Sequence, residues 1–296
     1  MEECRLDRKM KKIYRNAERI EVGETTKIAI MSDCHRGTGE WNDNFAENEK
    51  IYFTALREYY RNDYTYIELG DGDELWENRD YSKIIQLYSH IFWLLSQFYR
   101  EGRLYMLYGN HDKQKKSKKF TKKYMSEYYY EAENRYLPLF PKIEVTEGLV
   151  LKLTCCEKQR TILLVHGHQG DLLNDTLWRF TRWMVRYIWK PLELLGINNP
   201  MTPAGNYSNR PKHANKVEQW AECTKQITIG GHTHHALCSS DLAACYFNTG
   251  SCVHPRCIMA IEIEDRQLRL VKWGIDVDSR NHLLVKKELL VQHYLD

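Results

Sequence analysis

Five short segments carry residues able to hold a cation. They are Asp33-Cys34-His35, Gly70-Asp71-Gly72-Asp73-Glu74, Gly109-Asn110-His111-Asp112, Val165-His166-Gly167-His168 and Gly231-His232-Thr233-His234-His235. Carboxylate oxygen and imidazole nitrogen suit divalent cations such as Mn²⁺, Fe²⁺ and Zn²⁺, and a two-cation site needs a bridging carboxylate plus several terminal donors. In Asp33/His35 and His232/His234 the donors stand two apart, so an extended chain turns both members of a pair to one side. Gly70 and Gly72 let the backbone turn sharply and present Asp71. Asn110, His111 and Asp112 offer an amide oxygen, an imidazole and a carboxylate able to fix a ring tautomer. Within Val165–His168 the apolar run stops at His166, which favours His166 over His168 as a donor.

Each segment follows a short apolar run: Lys27–Met31, Tyr64–Leu69, Leu104–Tyr108, Ile162–Val165 and Ile227–Ile229. Such runs read as buried strands. Helical periodicity over Phe45–Arg61 and Tyr81–Tyr99 makes the first half β-α-β-α-β, and parallel strands would gather their polar ends at one edge, where α/β sheets bind ligands. Further strand candidates at Leu149–Thr154, Ala243–Asn248, Arg256–Glu264 and Leu268–Trp273 suggest a second, more antiparallel sheet. The expected fold class is α/β, two packed mixed sheets flanked by helices.

Composition narrows the setting. The 296 residues balance 43 basic against 40 acidic side chains, unlike a dedicated nucleic-acid binder. Nine cysteines without CxxC spacing argue against a disulfide framework or a zinc ribbon and for a reducing cytoplasm. The N-terminus is charged throughout, and no run of 18 apolar residues suggests a membrane span. The chain reads as a single domain over 1–296 with an inserted helical cap over 171–220. The cap's aromatic stretch, Trp178 to Trp189, would form either core or an apolar groove over the site, with Arg179, Arg182, Arg186 and Lys190 facing an anionic membrane. The lysine run 113–123 reads as a solvated segment, or as a landing strip for anionic headgroups or a polyanion. Because no aromatic-interleaved stacking platform accompanies the lysines, nucleic acid ranks below a nucleotide-sugar or phospholipid.

In this order, and each at a strand end, the motifs resemble the calcineurin-like metallophosphoesterase superfamily: D-x-H, G-D-x-x-D/E, G-N-H-D/E, His-Gly and G-H-x-H, followed by Asn248-Thr249-Gly250-Ser251. The resemblance implies a metal-dependent hydrolase of a phosphoester or pyrophosphate bond, with two divalent ions of Mn, Fe or Zn, Mn favoured. It implies that Asp33, His35 and His234 bind one metal, that Asp71 bridges, and that Asn110, His166 and His232 bind the other. His111 would then protonate the leaving group, with Asp112 holding its ring. Arg36 is either a phosphate contact or an ion-paired arginine, and Glu74 is structural or helix-capping rather than a ligand. Within the superfamily the cap is similar to the branch containing UDP-2,3-diacylglucosamine pyrophosphatases. The chain departs from that branch in carrying His111 where those enzymes have Arg. The expected substrate is small and phosphorylated, in one version lipid-linked, with peripheral contact at the inner face of the membrane. The alternatives are a phosphoprotein or nucleotide phosphatase, a nuclease, and a metal-binding scaffold without catalysis.

Overall fold

The computed structural model describes residues 2–155, 158–193, 216–241 and 243–295. The chain opens with α1 (Glu2–Asn16) and β1 (Glu18–Val22). Although α1 is charged, Leu6, Met10 and Ile13 recur at helical spacing and carry its burial. Then β2 (Ile28–Met31), α2 (Glu49–Arg61), β3 (Thr65–Leu69), α3 (Tyr81–Leu87), α4 (Ser89–Arg100) and β4 (Leu104–Leu107) follow. The helix expected over Tyr81–Tyr99 is divided at Tyr88, whose buried hydroxyl donates to Asp43 Oδ2 at 2.7 Å. Tyr88, at φ −99° and ψ 31°, lies outside helical geometry, and local periodicity does not encode this break.

After α5 (Lys118–Tyr124) come a small hairpin, β5 (Glu127–Tyr130) with β6 (Arg135–Pro138), and the short β7 (Val145–Thr146). Next are β8 (Gly148–Cys155) and β9 (Lys158–Val165), which starts four residues before its apolar run. A π-helical turn at Leu172–Thr176, α6 (Trp178–Met184), a second π-helical turn at Val185–Trp189 and α7 (Lys190–Glu193) make up the described part of the cap region. Its proline-rich loop, 197–213, lies outside the described residues. After it come α8 (Lys216–Thr224), β10 (Thr228–Gly230), β11 (Tyr246–Asn248), β12 (Cys257–Glu264), β13 (Gln267–Val277) and β14 (Leu283–Tyr294). α8 packs on the sheet that holds β10 and β11, so the last residues of 171–220 sit on the body of the fold.

One sheet has the order β14-β13-β12-β2-β3-β4-β7 and the other β1-β8-β9-β10-β11. Alternation along each strand sends residues to two layers. Ile28 and Ile30 of β2 meet Leu149, Leu151, Ile162 and Leu164 between the sheets, whereas Ala29 and Met31 pack beneath Tyr52, Leu56 and Phe92 of the outer helices. On the far side, Val150, Leu163 and Val165 are covered by α1 and α8. This is the expected sandwich of two mixed sheets between helical layers. No helix among the described residues is long and apolar enough to cross a membrane.

Candidate metal centre

Parallel pairing of β2 with β3 and of β3 with β4 brings their C-terminal ends to one edge. The exits stay laced together beyond the strands: Asp33 N–H donates to the Gly70 carbonyl at 3.1 Å, His35 N–H to that of Asp71 at 2.9 Å, and Gly231 N–H to that of His166 at 2.8 Å. Asp33, His35, Asp71, His232 and His234 all hold positive φ, between 48° and 67°. Non-glycine residues seldom do so, and each costs on the order of 1–2 kcal/mol, strain that packing around the site sustains. Gly109 is required by contact: a Cβ there would lie 2.1 Å from Asp71 Oδ1.

Six of the seven residues expected as ligands fall into two groups of converging donor atoms, and the seventh, Asn110, is buried at the exit of β4. Asp33, His35 and His234 form one group of donor atoms within 4.8 Å of one another, and Asp71, His166 and His232 form a second. His35 Nε2 lies 3.8 Å from Asp71 Oδ2, which joins the two groups. His166 donates Nδ1–H to the Leu69 carbonyl at 2.9 Å, which leaves Nε2 turned toward Asp71 Oδ2, 3.0 Å away. Asp33 Oδ1, Asn110 Oδ1 and His166 Nε2 are buried without a well-formed hydrogen bond. Orphaned buried groups of these types, from three strand exits, fit divalent cations.

Electrostatics point the same way. Burial opposes charge on every group, yet His166 and His234 hold the Asp33 carboxyl well below its usual range, and His166 and His111 do the same for Asp71. Against burial, Asp71 and Asp33 raise His166 to about 9, and Asp33, Glu74 and Asp71 raise His35 well above its usual value. Burial and the neighbouring His166 push His232 down to about 4. Ring protons thus balance the carboxylates where a cation would, and cation uptake would expel them.

His111 lies at the rim of this cluster, its ring 4.7 Å from that of His35. Glu74, not Asp112, holds it: the Glu74 carboxylate lies 2.7–2.9 Å from His111 Nδ1 and 2.9 Å from His35 Nδ1. Asp112 turns inward, where it accepts from the N–H groups of Gly109 at 2.7 Å and Gly72 at 3.1 Å and from Lys115 Nζ at 2.7 Å. Glu74 also accepts the Trp76 N–H at 3.1 Å within a turn, but it caps no helix, since α3 is capped by Asp80; its structural role is to orient two histidines. Sequence reasoning passed over Trp76, whose indole stacks on His111 at 4.0 Å and donates to the Asn110 carbonyl.

Arg36 is not a phosphate contact. It is fully buried behind the site, with Nε 2.7 Å from Asp73 and Nη2 2.8 Å from Glu68. The His168 ring lies 5.5 Å from that of His166 and 6.4 Å from that of His232, and its ligand-type atoms group with Glu147 and Asp175 rather than with Asp71. Lys9 and Lys113 already neutralise those two carboxylates, so that group is charge-balanced. Of the lysine run, Lys113 and Lys115 are buried in ion pairs, while Lys118 is exposed.

The cap's basic residues also divide. Arg186 donates to the carbonyls of Leu75, Trp76 and Asn78, and Lys190 pairs with Glu40 at 2.7 Å, so both face the body. Arg179 and Arg182 lie over the Trp178 ring. The outward face is apolar: Phe180 is 54% exposed, Trp183 50% and Tyr187 50%, with Leu173 and Leu177 beside them. Thr181 and Val185 are turned inward.

Among solved structures, the chain is similar to Vps29 from Chaetomium thermophilum, at 10% identity and TM-score 0.41, over 92% of this chain and 99% of that one. It is also similar to a cold-active protein-tyrosine phosphatase of a psychrophilic Shewanella, at 14% identity and TM-score 0.37, over 84% and 78%. A Vps29 mutant from Entamoeba histolytica aligns at 11% identity and TM-score 0.35, over 90% and 100%. No curated protein sequence matches the chain. Residues 26–236, which include every candidate ligand, match the sequence model of the calcineurin-like phosphoesterases, and the chain belongs to that family of metal-dependent phosphoesterases.

Proposed function

We propose that this protein hydrolyses a phosphoester or pyrophosphate bond at a dinuclear centre. Asp33, His35 and His234 would hold one cation, Asn110, His166 and His232 the other, with Asp71 shared between them. The observation that carries this reading is the tethering of the donor rings. His166 Nδ1 is committed to a backbone carbonyl and His35 Nδ1 to Glu74, which leaves each Nε2 for a cation. Four imidazoles, two carboxylates and an amide oxygen suit Mn²⁺, Fe²⁺ or Zn²⁺ alike, and we take Mn²⁺ as the first ion to supply because availability often outweighs ligand preference. When bound, two such cations supply Lewis acidity and a nucleophile from water at neutral pH. Glu74 holds His111 Nδ1, which would leave Nε2 to donate a proton to the leaving-group oxygen. The test is hydrolysis of a chromogenic phosphodiester: turnover with Mn²⁺, none in chelator, recovery on adding metal back. A protein that loads two metals yet cleaves no phosphomonoester, cyclic nucleotide, nucleotide-sugar or phospholipid would be a scaffold instead.

The finer reading concerns the cap, which we place over the site as part of a single domain. The outward aromatics support a lipid-linked substrate, such as a diacylated nucleotide-sugar, met by a cytoplasmic protein at the inner face of the membrane. Arg179 and Arg182 remain to meet anionic headgroups. Trp183→Ala is expected to raise KM for a lipid-bearing substrate about tenfold, because the half-exposed indole contributes roughly 1–2 kcal/mol of apolar contact. A small chromogenic ester should be turned over unchanged, at an unchanged Tm. Equal loss on both substrates with earlier melting would make the cap purely structural.

A further inference from the structure

β14 is the outermost strand of its sheet, and among the described residues only its inner edge is paired, along β13. Twelve residues long, it presents a row of open backbone donors and acceptors, a hazard that proteins usually blunt with shortness, proline or free charge. Its central charges do not serve as that guard. Lys286 is tied to Asp276 at 3.0 Å, Lys287 to Glu262 at 3.0 Å, and Glu288 lies 3.6 Å from Lys272, each bond reaching back into the sheet. Leu283 is 76% exposed and Leu289 52%. The pairing of Val277 with Leu283 and Val271 with Leu289 sets Val277, Leu283 and Leu289 on one face.

Read outward from Lys287, the strand nearly mirrors itself: Leu284, Val285 and Lys286 on one side, Glu288, Leu289 and Leu290 on the other. We infer that a second copy of this chain pairs antiparallel with β14 about a two-fold axis through Lys287, which continues the seven-stranded sheet across a dimer. That register sets Lys286 opposite Glu288 of the second copy and Val285 opposite its Leu289, each twice by symmetry. Lys287 meets its own counterpart with its ammonium already held by the buried Glu262. The register break at Leu270/Val271 leaves Leu290 as an extra residue on β14, so regular pairing runs from Val285 to Leu289.

Sedimentation equilibrium of the full chain tests this. The expected species is a dimer. Glu288→Lys should raise its dissociation constant roughly tenfold or more by setting like charges opposite each other twice. The double swap Lys286→Glu with Glu288→Lys should restore pairing, and Leu289→Lys should abolish it, all with unchanged circular dichroism. A monomer at every concentration overturns the inference and leaves the edge to some other partner. A dimer indifferent to Glu288→Lys and Leu289→Lys, or one the double swap fails to restore, overturns it equally. None of these outcomes depends on whether the metal centre is catalytic.

Discussion

Replacing Asp71 by alanine is expected to abolish turnover and to lower metal occupancy throughout the site, whereas Asp33→Ala should deplete mainly the position shared with His35 and His234. The asymmetry follows from geometry: Asp71 Oδ2 lies 3.0 Å from His166 Nε2 in one group and 3.8 Å from His35 Nε2 in the other. Cation stabilisation of a phosphoryl transition state amounts to several kcal/mol, so losing it should reduce kcat/KM by about a thousandfold or more. Metal content after gel filtration, measured beside kcat/KM, checks both halves. Asp71 Oδ1 also accepts the His111 N–H at 2.8 Å, so Asp71→Asn is the companion variant, retaining an acceptor while losing the charge. Full metal content in Asp71→Ala would break the bridging assignment.

His111→Ala should keep its metals and lose about 10²–10⁴-fold in kcat on esters with poor leaving groups. On a nitrophenyl ester, whose leaving group needs no proton, the loss should be far smaller. This contrast separates proton donation from a packing role, which would affect both substrates alike and lower Tm through the lost stack on Trp76. Full turnover on poor leaving groups would end the assignment. Because Glu74 reaches both His111 and His35, changing it would mix proton transfer with metal affinity, so His111 is the cleaner position to vary.

The clustering of six candidate donors could be read from the chain because each follows an apolar run, and strand pairing brings run ends together. Periodicity likewise reported the two sheets and most of their strands. What it did not report depends on where the backbone turns after a strand. Adjacency suggested that Asp112 holds His111, but the turn points Asp112 at three backbone N–H groups, and Glu74 arrives from a neighbouring strand exit. Arg36 looked available beside a ligand, yet Glu68, an acid inside the buried strand β3, and Asp73 claim it. That acid in an apolar run was the legible clue, since a buried carboxylate demands a cationic partner. α1 carried a readable signal as well, its apolar residues at 6, 10 and 13. By contrast, the left-handed backbone at five of the candidate ligands has no signature in residue type.

Strand order also constrains how the protein is made. β2, which delivers Asp33 and His35, lies between β3 and β12, so one of its two edges waits for a partner encoded near the far end of the chain. His232 and His234 come almost as late. At translation speeds of about 5–20 residues per second, the first donors wait on the order of ten seconds or more for the last. During that interval β2 offers the ribosome-bound chain an open, apolar edge, and a cation meets only fragments of its final coordination sphere. On the proposed reading, metal loading would therefore come late in the life of each molecule. A nascent chain stalled before β12 should be prone to misassembly and poor at retaining metal, whatever the supply of metal in the cell.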